Sequence, residues 1–256
     1  IRRGGSTRRA LSPSPAHRVP SAGGRGRRWG SRMAGLLGGF PVVAGPIVTI
    51  LAMEQGQVFG AQASIATISS VAGVAIFALA YSWVGLRAQW WWALLAATCA
   101  WCAGALALSC LPPRIEWALL VAVTSLAITP YLLPPVAPQP VSAGGMHDLP
   151  YRMLTGALLT LVVTTVAASV GAAWSGLLSV FPVLGSVLAV FMHRAQGPAH
   201  VVLMYKGLLR GLFSLVAYFV TLALVWTRVD FWTGCALALC SSLAMQGVLV
   251  WRASRR

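Results

Sequence analysis

The 256-residue sequence is 58% hydrophobic and only 9% charged, with a mean hydropathy of +0.78, which excludes an ordinary soluble domain. Its four acids, Glu54, Glu116, Asp148 and Asp230, cannot give a chain of this size a solvated surface, so lipid must replace water around most of it. The net charge of +15 is not a nucleic-acid signal, because nine of the nineteen bases fall within residues 1–32 rather than over a folded surface.

Residues 1–32 hold arginine pairs, Gly, Ser and Pro, with no acid and little to bury, and are expected to be a disordered basic leader. A transit peptide or a basic arm for lipid or nucleic acid shares this composition. A mis-called or truncated start fits better, with Met33 just before the first apolar run.

Beyond it, apolar segments of spanning length, about 20 residues for a core of about 30 Å, fall near 34–53, 60–85, 90–111, 117–134, 153–173, 175–192, 201–227 and 231–251. The expected fold is therefore all-α, a polytopic transmembrane helical bundle of about eight helices. The fifth and sixth are divided only by a turn around Trp174, and the fourth, bracketed by proline pairs, is short enough to be re-entrant. The organisation reads as a first membrane repeat plus connector helix over 33–134, a Pro- and Gly-rich linker loop over 135–151, a second membrane repeat over 152–251, and a basic tail over 252–256.

Short cytoplasmic loops carry the excess of Lys and Arg. With both termini cytoplasmic, the inside collects Arg28, Arg32, Arg87, Arg152, Arg194, Lys206, Arg210, Arg252, Arg255 and Arg256, while the outside keeps only Arg114 and Arg228, each near an acid. The expected location is a cell membrane, the bacterial inner membrane.

At a constant offset of 141, residues 34–110 align without a gap with 175–251, and fifteen of these 77 positions are identical. The identities gather where geometry is set. Gly35, Leu36, Leu37, Phe40, Pro41 and Val42 match Gly176, Leu177, Leu178, Phe181, Pro182 and Val183; Gln55-Gly56 matches Gln196-Gly197; Arg87 and Trp91 match Arg228 and Trp232. The second unit begins five spans after the first, so the copies are expected to insert upside down relative to each other, as in many secondary transporters. The helix at 117–134 is the inverting connector. The helix at 153–173 has no counterpart ahead of Met33.

The run Val180-Phe181-Pro182-Val183, then Gln196-Gly197 and Leu208-Leu209-Arg210-Gly211-Leu212-Phe213-Ser214-Leu215-Val216-Ala217-Tyr218-Phe219-Val220, resembles the small GlpM-type inner-membrane proteins of bacteria. The likeness covers about 150–251 well and 34–110 more loosely, where Ser69 stands for Arg210 and Glu54 for Ala195. That poorly characterised family is associated with exopolysaccharide production; the resemblance implies a membrane module and lends no catalytic residue.

Candidate substrate-binding residues are Pro41, Pro182, Glu54, Gln55, Gln196, Lys206 and Arg210. The prolines lie within spans, where a broken helix needs protein, water or substrate to cover its free carbonyls; matched interruptions point to a central site, and Pro46 adds a second break to the first copy only. An ordinary packing kink explains either proline alone. Glu54 could bind a proton or cation, or simply face water at its helix end. Lys206 and Arg210, four apart near the cytoplasmic side, suit an anionic headgroup or substrate, or plain positive-inside anchoring. His193, Arg194 and His200 share one inside loop. Two histidines without further ligands make a poor metal site, the cysteines serve as small apolar residues in helices, and the small-residue run from Ala61 to Gly73 allows close helix packing. The tryptophans at 90–92, 174, 226, 232 and 251 read as interface anchors. No HExxH, Walker loop or GxSxG occurs, so no catalytic residue, cofactor or metal is expected. The partners expected are the lipid bilayer and a small-molecule or anionic substrate, and no nucleic acid. A carrier should show a polar, water-accessible cavity near Pro41 and Pro182; an assembly subunit of an envelope system should be packed dry there.

Overall fold

The computed structural model describes residues 38–137 and 181–255, together with Leu36 and scattered positions between 154 and 165. The expected leader, most of the linker, the turn at Trp174 and most of the helix at 153–173 lie outside the described residues.

Seven helices are described: α1 (Ala44–Gln55), α2 (Gln57–Gly85), α3 (Trp90–Ser109), α4 (Ile115–Leu132), α5 (Val183–Gln196), α6 (Pro198–Val225) and α7 (Phe231–Ser254). Five of them, α2, α3, α4, α6 and α7, are long and apolar enough to cross a membrane, and the protein is a multi-pass helical membrane bundle. α1 and α5, of 12 and 14 residues, are too short to cross a hydrocarbon core alone.

The offset of 141 recurs in the backbone. α1 ends at Gly56 with φ +94° and α5 at Gly197 with φ +89°, the only positive-φ residues among those described. Their N–H groups donate to Ala52 and His193, which are themselves matched. Each glycine is the sole residue between two helices, so the expected loops at 54–59 and 193–200 do not exist. His193 and Arg194 belong to the last turn of α5 and His200 to the first turn of α6. The sharp reversal needs a conformation almost reserved for glycine. The next turn repeats as well: Arg87 and Ala88 donate to Val84 as Arg228 and Val229 donate to Val225.

α2 and α6, matched to each other, run in opposite directions. Gln57 Nε2 at the start of α2 donates to the Val229 carbonyl just past the end of α6 at 3.3 Å, whereas Tyr81 late in α2 packs on Tyr205 early in α6, ring centroids 5.9 Å apart. α4 follows the sense of α2, since Trp83 Nε1 reaches the Leu132 carbonyl and Lys206 Nζ reaches the Pro134 carbonyl. The small-residue run of α2 is buried as expected, with Ser64, Thr67, Ser69, Ser70 and Gly73 all inside.

Matched positions exchange volume between the two ends. A Cβ on Gly60 would strike Ala52 and Trp226. At the opposite end the counterparts of those two, His193 and Gly85, meet in turn, with His193 Cε1 3.4 Å from where a Gly85 Cβ would stand. Trp226 is 1% exposed, so this ring, expected as an interface anchor, is a core residue. Trp91, Trp92, Trp232 and Trp251 are exposed at helix ends, as expected of anchors.

The ends differ in charge. Arg87, Arg194, Lys206, Arg252 and Arg255 gather at the end holding the C-terminus of α2, and Glu54, Glu116 and Asp230, with Arg114 and Arg228, gather at the other. These are called the basic end and the acidic end below.

Candidate functional site at the paired helix breaks

Phe40-Pro41-Val42 and Phe181-Pro182-Val183 each close an inverse γ-turn. The Val42 N–H donates to the Phe40 carbonyl at 2.7 Å and the Val183 N–H to the Phe181 carbonyl at 2.6 Å. Pro182 sits at φ −74°, ψ 56°, close to the inverse γ-turn minimum, and the pyrrolidine ring fixes that φ in advance. Each proline carbonyl then accepts from the residue four ahead, Gly45 at 3.1 Å and Ser186 at 2.7 Å, which launches α1 and α5. The motif is a helix starter behind a chain reversal, and neither proline is an ordinary kink. Pro46 makes no second break: it is the third residue of α1, where the missing N–H has no intrahelical acceptor to lose.

Breaks at membrane depth leave backbone groups that need partners. In the first copy side chains supply them. Gln246 Nε2 donates to the Leu36 carbonyl at 3.0 Å, and Ser214 Oγ, which donates to the Gly211 carbonyl at 2.8 Å, lies 3.4 Å from the Gly39 carbonyl. The segment lies directly on α6, for a Cβ on Gly39 would collide with the Gly211 backbone and one on Gly211 with the Leu36 carbonyl.

The two breaks share one cavity of about 60 Å³, room for a few waters or a small solute. Phe40, Val43 and Ala44 line it from the first copy, and Phe181, Val183 and Gly185 from the second. Val74, Leu212 and Leu215, near the midpoints of α2 and α6, complete the wall. The starts of α1 and α5 thus face the same space. Every lining side chain is apolar, so its polar surface is backbone. A cavity lies beside Pro182 and the start of α1, but its walls lack the polar lining expected of a carrier. Behind it, Trp101 packs edge-on to Phe181 at 4.9 Å, and its Nε1, like the matched Ser242 Oγ, is buried without a partner.

The other sequence candidates lie apart from the cavity. Glu54 and Gln55 are exposed at the acidic end. Gln196 is half-buried at the basic end, its carbonyl held by His200 Nδ1 at 2.7 Å. Lys206 is half-buried and committed to the Pro134 carbonyl. Arg210 is exposed but not near the helix end: twelve residues into α6, it lies about 18 Å along the axis, close to mid-helix. Sequence reasoning passed over the aromatic partners of the prolines. Phe40 and Phe181 were visible within the repeated motif, whereas Trp101, Gln246 and Ser214 carried no repeat signal, since their counterparts are Ser242, Ala105 and Gly73.

Comparison with protein-family models, curated proteins and solved structures gives no significant match.

Proposed function

We propose that the protein is a secondary carrier or exporter whose two copies form an inverted repeat, with the substrate site between them at mid-depth. The observation that carries this reading is the meeting of two sequence-matched helix breaks at one cavity, beside matched helices of opposite sense. Exchanging the copies turns α2 into α6, so the pseudo-two-fold axis runs across these helices near Val74 and Leu212, beside the cavity. Paired interrupted helices at such an axis are a carrier arrangement. Two helix starts facing the space favour a small anionic or polar solute, and the cavity volume favours a small solute over a lipid-linked one in this conformation. The basic end faces the cytoplasm of a bacterial inner membrane, and the protein performs no covalent chemistry. The GlpM-type resemblance supports the alternative, a non-transporting membrane assembly subunit of an exopolysaccharide system, as do the apolar walls.

Proteoliposomes loaded with a panel of small radiolabelled anions decide between them. Protein-dependent flux that Leu212→Trp abolishes, with folding intact by circular dichroism, supports the carrier; no flux across the panel, or flux indifferent to Leu212→Trp, supports the assembly subunit. Glu54→Gln should leave the pH dependence of flux unchanged, because that carboxylate is exposed at the far end of α1 and does not line the cavity.

A further inference from the structure

The starts of α3 and α7 occupy matched positions at opposite ends of the bundle and handle negative charge differently. At the acidic end, Asp230 caps α7, its carboxylate accepting the Thr233 N–H at 3.0 Å, two residues after Arg228. At the basic end the matched residue is Gln89. No side chain caps α3 there, and Gln89 Oε1 is instead occupied by Trp91 Nε1 at 2.7 Å.

Two arginines frame this start. The Arg87 guanidinium lies 5.3 Å from the Trp83 ring centroid, and that of Arg194, arriving from the end of α5, lies 5.9 Å from the Trp90 ring. Both arginines are exposed. Trp91 and Trp92 stack at 4.2 Å beside them, and Trp83 is tied to the end of α4 through the Leu132 carbonyl. Glu54, Glu116 and Asp230 all lie at the other end, so no described carboxylate serves these cations. Stacked guanidiniums keep their outer N–H groups free for a phosphate, and tryptophans belong at headgroup depth.

We infer that Arg87 and Arg194, held on Trp83 and Trp90, form a binding site for the headgroup phosphate of an anionic phospholipid at the basic end. The lipid occupies there the place that the Asp230 carboxylate fills at the matched position. A lipid suits the site better than a soluble anion, because Trp91 and Trp92 are exposed beside it and offer apolar surface at the depth of the upper acyl chain. The inference does not depend on transport.

Quenching of protein fluorescence by brominated phosphatidylglycerol, titrated against brominated phosphatidylcholine in nanodiscs, tests it. The wild type should prefer the anionic lipid, and the R87Q/R194Q double variant should lose about 30-fold of that preference, corresponding to about 1 kcal/mol per arginine near a membrane surface. Arg228→Gln at the matched position should lose little. Gln89→Asp keeps both arginines but supplies an internal carboxylate, so it should lower the preference as well; this variant serves if the double variant fails to fold. Free phosphate at millimolar concentration should not compete. Equal loss in Arg228→Gln, an unchanged preference in Gln89→Asp, or competition by free phosphate would overturn the inference.

Discussion

Gly211→Ala tests the crossing of the first break over α6. The added Cβ would lie against the Leu36 carbonyl and within 3.1 Å of the Gly39 Cα, so the obstacle is backbone and no rotamer change relieves it. Overpacking of this kind costs about 1–3 kcal/mol. Displacing the segment also strains the hydrogen bond from Gln246 to Leu36, worth about 1 kcal/mol net. A total near 3 kcal/mol corresponds to a fall of about 6–12 °C in Tm for a chain of this size. The assay is thermal unfolding in detergent, followed by circular dichroism. Gly247→Ala is the control, since its Cβ would meet nothing within 4 Å, and alanine favours a helix by about 1 kcal/mol. If Gly211→Ala melts as high as Gly247→Ala, the close crossing is not present and the shared cavity loses one wall.

Gly56→Ala and Gly197→Ala should each cost about 1–3 kcal/mol, from positive φ alone, because neither Cβ would meet an atom within 4 Å; similar falls in Tm are expected from the two matched sites. Trp226→Ala should destabilise by about 3–5 kcal/mol in the same assay, whereas Trp232→Ala, whose ring is 68% exposed, should cost far less. Hydrogen bonds from Thr233 hold the Asp230 carboxyl below its usual 3.8. A depressed carboxylate adds stability that is full above the unfolded pKa and lost as pH falls through the folded one. The Tm gap between wild type and Asp230→Asn should therefore be present at neutral pH and close below pH 3.8.

Much of the architecture was legible because it is carried by composition and by residues that set backbone geometry. Gly56 and Gly197, Pro41 and Pro182, and Arg87 and Arg228 mark the same turns in both copies, and side chains facing lipid need only be apolar. The offset of 141 consequently pairs the glycine ends of α1 and α5 and the starts of α2 with α6 and of α3 with α7, whereas the starts of α1 and α5 differ by two positions and the ends of α3 and α7 by four. Hydropathy could not show that a single glycine separates α1 from α2, because the polar run Glu54-Gln55-Gly56-Gln57 reads equally well as a loop. It likewise could not place Trp226 inside, since a tryptophan at a helix end reads as an anchor until Gly60 and Gly234 are seen to open space for it. At the candidate site the prolines were legible as helix breakers, but the γ-turns through which they lead into α1 and α5 were not. Charge drew attention to Glu54, Lys206 and Arg210, whereas the cavity is built of Phe, Val, Gly and Leu, whose roles only packing reveals.

The account rests most directly on the opposite sense of the two copies. In a background with the five native cysteines replaced, single cysteines at Gln55 and Ala195 should be labelled by a membrane-impermeant maleimide from opposite sides of the bilayer, Ala195→Cys only after the cytoplasmic face is exposed. Labelling of both positions from the same side would contradict the inverted repeat, and with it the shared site between the breaks.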